Sequence, residues 1–176
     1  RKLETYSLGM KQLAKLAPVE VLGVTLSKEQ LGVATARAES EGLANRVQFR
    51  LQDYRELNEQ FDRIVSVGMF EHVGAARFDE FFAKVREILT EDGVMLLHSI
   101  GRMDGPGATS AWLRKYIFPG GYTPALSEVL AAIERQGLWV LDMEVLRVHY
   151  ADTLREWNVR FQENRAEIAK MYDERF

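Results

Sequence analysis

The sequence contains no cysteine, which excludes disulfides, thiolate metal ligands and a cysteine nucleophile. It has no run of about 18 apolar residues that would span a membrane, and its first residues do not have the form of a signal peptide. The net charge is only −3, so no general field draws the chain to nucleic acid or to an anionic membrane. We therefore expect no nucleic-acid partner. Composition alone does not exclude local clusters of basic residues.

The sequence does contain an alternation of strand-like and helix-like segments. Its 176 residues, 47% of them hydrophobic, suffice for one domain with a core. The order is α-β-α-β-β-α-β-α-α-β-α, which predicts an α/β fold with a mainly parallel sheet flanked by helices. The predicted strands are Val19–Leu26, Val47–Leu51, Phe61–Val67, Val94–His98 and Leu138–Val148.

The predicted helices follow from capping signals and apolar spacing. Ser27 and Gln30 form a capping box that starts a helix running to about Gly42. Apolar side chains share one helical face before Gly93, which is expected to end that helix; they are Phe78, Phe81, Phe82, Val85, Ile88 and Leu89. The other predicted helices are Leu8–Leu16, Thr109–Tyr116, Leu126–Gln136 and Thr153 to the chain end, with a turn at Phe118–Gly121.

Polar and titratable residues follow the strands at the carboxyl edge of the predicted sheet. Open α/β sheets bind ligands outside this edge, so the pattern predicts a pocket, but it indicates no particular reaction. The residues placed there are Thr25, Asp53, Tyr54, Val67–Glu71, His98–Ile100, His149 and Tyr150.

Five stretches of the sequence carry a family signature. They are GVTLSKEQ (Gly23–Gln30), DRIVSVGMFEHVG (Asp62–Gly74), LLHSIG (Leu96–Gly101), KYIFPGGYTPALSE (Lys115–Glu128) and HYADTLREW (His149–Trp157). In this order and at this spacing they resemble the cyclopropane-fatty-acyl-phospholipid synthase and mycolic acid cyclopropane synthase family, over roughly Val19 to Phe176. The resemblance implies a Rossmann-like fold of the class I S-adenosylmethionine-dependent methyltransferases.

The resemblance also implies a reaction. The family transfers the methyl group of S-adenosylmethionine to the cis double bond of an unsaturated acyl chain. An alkene is a poor nucleophile, and its attack leaves a carbocation, which closes to a cyclopropane when the new methyl loses a proton. Such an enzyme must stabilise a cation in a dry pocket and supply a base. In this family a bicarbonate ion is believed to be that base.

The resemblance assigns the bicarbonate site to Glu71, His98 and Tyr150, with the backbone of Ile100 facing the anion. His98 and Tyr150 can donate hydrogen bonds to bicarbonate, and Glu71 can accept one from its hydroxyl. His72, beside Glu71, is interpreted as structural. No metal site is expected.

For S-adenosylmethionine the resemblance implies polar partners of the ribose, an aromatic residue beside the adenine, and a strand end that lines the methionine portion. Phe70 is a further candidate for a cation–π contact with the sulfonium. The implied cofactor-binding residues are Thr25, Gln30, Asp53, Tyr54, Arg55, Val67 and Gly68.

Structural roles remain open for some of the same residues. Thr25 and Gln30 would also start a helix. A histidine at a strand end, such as His98, is usually a hydrogen-bonded core residue. Tyr150 would fit a buried tyrosine whose hydroxyl bonds the backbone.

Residues 3–8 (LETYSL) stand where the family has a glycine-rich loop, and they contain no glycine. We therefore expect a single methyltransferase core domain over residues 1–176, without the family's N-terminal helical segment, glycine loop and C-terminal helix. The resemblance implies an unsaturated phospholipid substrate. The enzyme would be cytoplasmic and would reach this lipid as a peripheral protein at the inner face of the membrane. A homodimer is compatible with the resemblance. The alternatives are a methyl-branched fatty-acid product, mycolic acid modification, a small-molecule methyltransferase, and a fragment or non-catalytic homologue that has lost cofactor binding.

Overall fold

The computed structural model describes residues 12–171, and the chain divides into two units, one ending at Trp139 and the other beginning at Val140. The described part of the first unit contains four strands in two parallel pairs. β1 (Val21–Thr25) pairs with β2 (Val47–Leu51), and β3 (Phe61–Val67) pairs with β4 (Leu89–His98). With helices between the strands, the predicted parallel α/β fold is confirmed.

The prediction that Gly93 ends a helix is wrong. The helix α3 (Phe78–Ile88) stops earlier, because Leu89 already has extended backbone angles (φ −89°, ψ 133°) and pairs with Phe61 in the β3–β4 ladder. Gly93 lies inside β4, where a Cβ atom would be 2.5 Å from the Cγ atom of Leu89. Glycine therefore permits a close approach where the register between β3 and β4 shifts.

The other helices of the first unit largely follow the prediction. α1 is observed over residues 12–16, whereas the start of its predicted range and the segment 3–8 lie outside the described residues. Residues 111 and 112 are helical and lead into a π-helical turn at Leu113–Ile117. The remaining α-helices described in this unit are α2 (Lys28–Ser40) and α4 (Leu126–Arg135), and a short 3₁₀ helix, Ala75–Arg77, precedes α3.

The main hydrophobic core forms around α3. The apolar stripe predicted for this helix is buried, except that Leu89 belongs to β4 and is only partly buried. A second, smaller core lies between α1, α2 and β2. The main core consists of Phe70, Phe78, Phe81, Phe82, Val85 and Ala132, and the smaller core of Ala14, Ala38, Leu43 and Val47.

The fifth strand predicted at Leu138–Val148 does not form. Residues 138–146 have no regular secondary structure, and the side chains of Trp139 and Leu141 are 90% and 77% exposed. A strand needs a neighbour that supplies backbone donors and acceptors, and no described strand pairs with this segment. Its apolar composition alone is therefore not enough to make it a strand.

The second unit contains α5 (His149–Glu163) and α6 (Arg165–Met171). The predicted helix from Thr153 thus starts earlier and is interrupted at Asn164, whose N–H caps α5 and whose carbonyl accepts from Glu167 and Ile168. The last five residues lie outside the described part of the chain. Within the range 12–171, no helix is both long and apolar enough to cross a bilayer.

Candidate functional site

The carboxyl ends of β3 and β4 lie side by side. Val67 is the register partner of His98, and the N–H of Gly68 donates to the carbonyl of His98 at 3.0 Å. Gly68 has φ 66°, a left-handed conformation that favours glycine. The chain turns there into the 3₁₀ helix Phe70–His72, which carries Glu71. Local backbone geometry thus places Glu71 just beyond the edge formed by Val67 and His98.

Glu71 divides its two carboxylate oxygens between two roles. Oε1 accepts a hydrogen bond of 2.7 Å from the N–H of Ile100. Oε2 is buried and has no hydrogen-bond partner within the described structure. The backbone of Glu71 is also held, because its carbonyl accepts from the N–H of Tyr122 at 2.8 Å. A buried oxygen without a partner is unfavourable, so Oε2 is an acceptor suited to a donor brought by a ligand.

His98 and Ile100 differ in how far they are available to a ligand. The imidazole of His98 is exposed rather than buried in the core, so the interpretation as a core histidine does not hold. Both backbone groups of Ile100 already have hydrogen-bond partners within the protein. Its N–H donates to Glu71, and its carbonyl accepts from the Ser99 hydroxyl at 2.9 Å. The amide of Ile100 therefore orients Glu71.

Tyr150 belongs to the second unit, in the first turn of α5. The prediction that His149 and Tyr150 follow a strand is wrong, because the strand does not form and both residues begin a helix. The Tyr150 side chain is 41% exposed, and its ring meets Trp157 edge-on with 6.3 Å between centroids. It is not the buried, backbone-bonded tyrosine of the structural interpretation.

Thr25 and Gln30 form a hydrogen-bonded pair after β1. The Thr25 hydroxyl donates to Gln30 Oε1 at 2.7 Å and accepts from the Ser27 N–H at 3.1 Å. Ser27 caps α2 by accepting from the backbone N–H of Gln30. Only half of the predicted capping box is present, since the Gln30 side chain bonds Thr25 in place of the Ser27 amide. Both side chains are thus held in position at the carboxyl end of β1.

The segment after β2 holds an ion pair and an aromatic ring. Asp53 caps the 3₁₀ helix Tyr54–Glu56 and binds Arg55, with 2.6 Å between Oδ2 and Nη2. The hydrogen bonds from Arg55 lower the pKa of the Asp53 carboxyl. Burial raises the pKa of the Tyr54 phenol, whose ring meets Phe81 edge-on at 5.6 Å. Asp53 and Arg55 therefore serve first as partners of each other.

The candidate cation–π residue Phe70 is a core residue. Its side chain is fully buried, and its ring stacks on that of Phe78 with 4.4 Å between centroids. The prediction that it contacts a sulfonium is wrong, because the aromatic cluster covers its ring. Val67, in contrast, is 54% exposed at the end of β3, as a residue lining a pocket requires.

Sequence reasoning missed the part played by Tyr122. Its N–H holds the carbonyl of Glu71, and its hydroxyl donates to the Glu128 carboxylate at 2.9 and 2.7 Å. This hydrogen bond raises the pKa of the Tyr122 phenol. Glu128 in turn accepts from the N–H of Ala125 at the start of α4. The only signal was that Tyr122 closes the FPGGY turn of a family stretch.

Comparisons with known proteins show which family the chain resembles over most of its length. The model of the mycolic acid cyclopropane synthetase family matches residues 8–176. A cyclopropane-fatty-acyl-phospholipid synthase of Escherichia coli K12 is 44% identical over 158 residues, which are 90% of this chain and 40% of that protein. A probable fatty acid methyltransferase of Pseudomonas putida is 39% identical over 95% of this chain and 45% of that protein. The chain thus spans less than half the length of these curated relatives.

A solved structure extends the likeness to three dimensions. The mycolic acid cyclopropane synthase CmaA1, complexed with SAH and CTAB, superimposes with a TM-score of 0.83 at 29% identity. The match covers 97% of this chain and 64% of that one. The Rossmann-like methyltransferase fold predicted from the sequence is thereby confirmed.

Proposed function

Because the chain belongs to the mycolic acid cyclopropane synthetase family, we propose that it is the core of an S-adenosylmethionine-dependent methyltransferase. Its substrate is the cis double bond in unsaturated acyl chains of phospholipids, and its product is a cyclopropane fatty acid. The relative from Escherichia coli, 44% identical, carries the name of this activity. We further propose that residues 1–176 act as a single methyltransferase core domain.

The observation that carries the proposal is the buried, unpartnered Oε2 of Glu71. A bicarbonate ion has one hydroxyl, which can donate to this oxygen, and two further oxygens that accept hydrogen bonds. The imidazole of His98 lies exposed at the same strand edge and supplies a donor. Donor and acceptor types thus fit bicarbonate, which when bound supplies a base for the proton lost on ring closure.

The residues around this site have separate tasks. Glu71 accepts the hydrogen bond from bicarbonate. Its negative charge keeps the bound ion basic and stabilises a carbocation that forms nearby. The amide of Ile100 fixes the orientation of Glu71. His98 donates a hydrogen bond, and Tyr150 remains the second proposed donor. Because the Ile100 amide already holds one oxygen of Glu71, this carboxylate needs little rearrangement when the substrate arrives.

S-adenosylmethionine supplies an electrophilic methyl group when bound. Its proposed site is the edge formed by the ends of β1, β2 and β3. Support comes from CmaA1, which holds SAH in its solved structure, and from the position of the side chains at the carboxyl ends of parallel strands. The residues proposed to hold it are Thr25, Gln30, Asp53, Tyr54, Arg55, Val67 and Gly68.

We propose that contact with the phospholipid is peripheral and comes from the cytoplasmic side of the inner membrane. CmaA1 was solved with CTAB, a long-chain amphiphile, which supports an apolar chain as ligand. The substrate is then drawn from the bilayer surface, and no step needs the protein to span the membrane. A homodimer remains a prediction.

Calorimetric titration with S-adenosylmethionine tests the cofactor site. We expect the chain to bind, and we expect Thr25→Val to weaken binding about twofold to tenfold, because one hydrogen-bonding hydroxyl is lost. Thr153→Val is the matched control, since it removes a hydroxyl on α5 whose partner in the described structure is the His149 carbonyl. Absence of heat with the folded wild-type chain contradicts the proposal and favours the non-catalytic homologue.

A methyl-branched product is the second candidate. It is favoured by the 39% identity to a probable fatty acid methyltransferase. Ring formation adds one CH₂ to the lipid, whereas a saturated methyl branch adds one CH₂ and two further hydrogens, a hydride from a reductant and a proton. The mass of the product lipid therefore separates the two.

A further inference from the structure

An exposed aromatic and basic segment lies outside the proposed catalytic site. It comprises residues 111–118, which we name the aromatic–basic turn. Trp112 and Tyr116 are 60% and 61% exposed, and Ile117 is 39% exposed. The two rings lie near each other, with 6.1 Å between centroids. Exposed rings and an apolar side chain on one short turn are typical of an interaction surface.

The same turn carries two cations that have no counter-ion among the described residues. Arg114 and Lys115 form no ion pair with any residue in the range 12–171. The Nζ atom of Lys115 lies 4.9 Å from the centroid of the Tyr116 ring. Carboxylates in the flanking sequence are already engaged: Asp104 binds Arg102, and Glu128 accepts from Tyr122. The turn therefore presents net positive charge on a chain whose overall charge is negative.

Both cations border an open cleft of about 600 Å³. The hydroxyl-bearing Thr109 and the backbone of Gly120 and Gly121 also line it. Another wall is Tyr122, whose N–H holds the carbonyl of Glu71. The cleft is thus tied by one hydrogen bond to the residue that carries the proposed reaction.

We propose that the aromatic–basic turn docks on the surface of an anionic phospholipid membrane. Trp112 and Tyr116 insert at the level of the headgroups, where amphipathic rings are favoured. Arg114 and Lys115 bind lipid phosphates at the cleft, and each cation near an anionic surface adds to the attraction. This inference rests on the proposed function, because it takes the bilayer that contains the substrate as the partner.

Co-sedimentation with vesicles tests the proposal. The full chain should bind vesicles of phosphatidylglycerol more tightly than vesicles of phosphatidylcholine. The double variant Arg114→Ala/Lys115→Ala should bind phosphatidylglycerol about 30-fold more weakly, which is about fivefold per cation. The matched control is Lys28→Ala/Arg63→Ala, which removes two exposed cations from other elements of the same unit. Equal binding by the first variant and the wild type overturns the proposal, and so does an equal loss in the control.

A second variant separates ring insertion from charge. Trp112→Ala should weaken binding to both vesicle types while keeping the preference for phosphatidylglycerol, and unchanged binding would contradict the insertion step. Transfer of labelled methyl to detergent-dispersed lipid is measured in parallel, because it does not need a membrane surface. A wild-type chain that binds vesicles but transfers no methyl counts against the proposed function, whereas a variant that loses only vesicle binding leaves that function standing.

Discussion

At the residue scale, the proposed reaction depends on the surroundings of Glu71. The MFEH stretch is enough to single out this glutamate from the sequence through the family resemblance. It does not reveal that the amide of Ile100 takes one carboxylate oxygen, or that Tyr122 holds the backbone. Both contacts join segments that are far apart in sequence, and only the β3–β4 pairing and the turn before α4 bring them together. Such contacts carry no local sequence signal.

The substitution Glu71→Gln separates charge from shape. The glutamine side chain would keep an oxygen for the Ile100 amide, so the fold and the affinity for S-adenosylmethionine should be unchanged. We expect kcat to fall at least about 100-fold, because the carboxylate is lost beside the proposed base. His98→Ala should show a comparable loss, whereas His72→Ala, which alters an exposed histidine in the same stretch, should retain wild-type kcat. Full turnover in both E71Q and H98A contradicts the site assignment.

At the scale of elements, sequence patterns succeeded where local and tertiary preferences agree. β2 and β3 have the predicted bounds, and the predicted stripe of α3 is buried. The failures share one cause, since a pattern does not show what an element packs against. Leu138–Val148 has the composition of a strand but pairs with no described strand. Gly93, predicted to end a helix, instead permits close packing in β4.

The cap at Asp53 gives an element-scale prediction. Asp53→Ala removes the acceptor of the Arg55 N–H and the ion pair, and should cost about 1 kcal/mol at neutral pH. Asp53→Asn keeps a cap oxygen and should cost less. Because Arg55 lowers the pKa of Asp53, the stabilisation is present above the ordinary carboxyl pKa and is lost as the pH falls through the lowered value.

Urea unfolding across this pH range is the measurement. The difference in free energy of unfolding between wild type and D53A should be constant near neutrality and shrink below about pH 4. If D53N loses as much as D53A, the side-chain cap contributes nothing. If the difference grows on acidification, the direction of the pKa shift is wrong.

At the scale of the whole molecule, the alternation of strands and helices was enough to predict a parallel α/β fold. It did not predict the division at Trp139 and Val140, because the apolar segment there has the composition of a strand. Glu71, His98 and Ile100 belong to the first unit, and Tyr150 belongs to the second. The family resemblance assigns all four residues to the bicarbonate site. That assignment concerns their function and does not describe how they pack.

Methyl transfer to a lipid double bond is the activity on which the other proposals depend. Mass spectrometry detects it in phosphatidylglycerol with cis-unsaturated acyl chains after incubation with methyl-labelled S-adenosylmethionine. We expect a labelled lipid that has gained one CH₂ and lost its double bond, with none formed by E71Q. A folded chain that binds S-adenosylmethionine but leaves the lipid unlabelled would contradict the proposed activity.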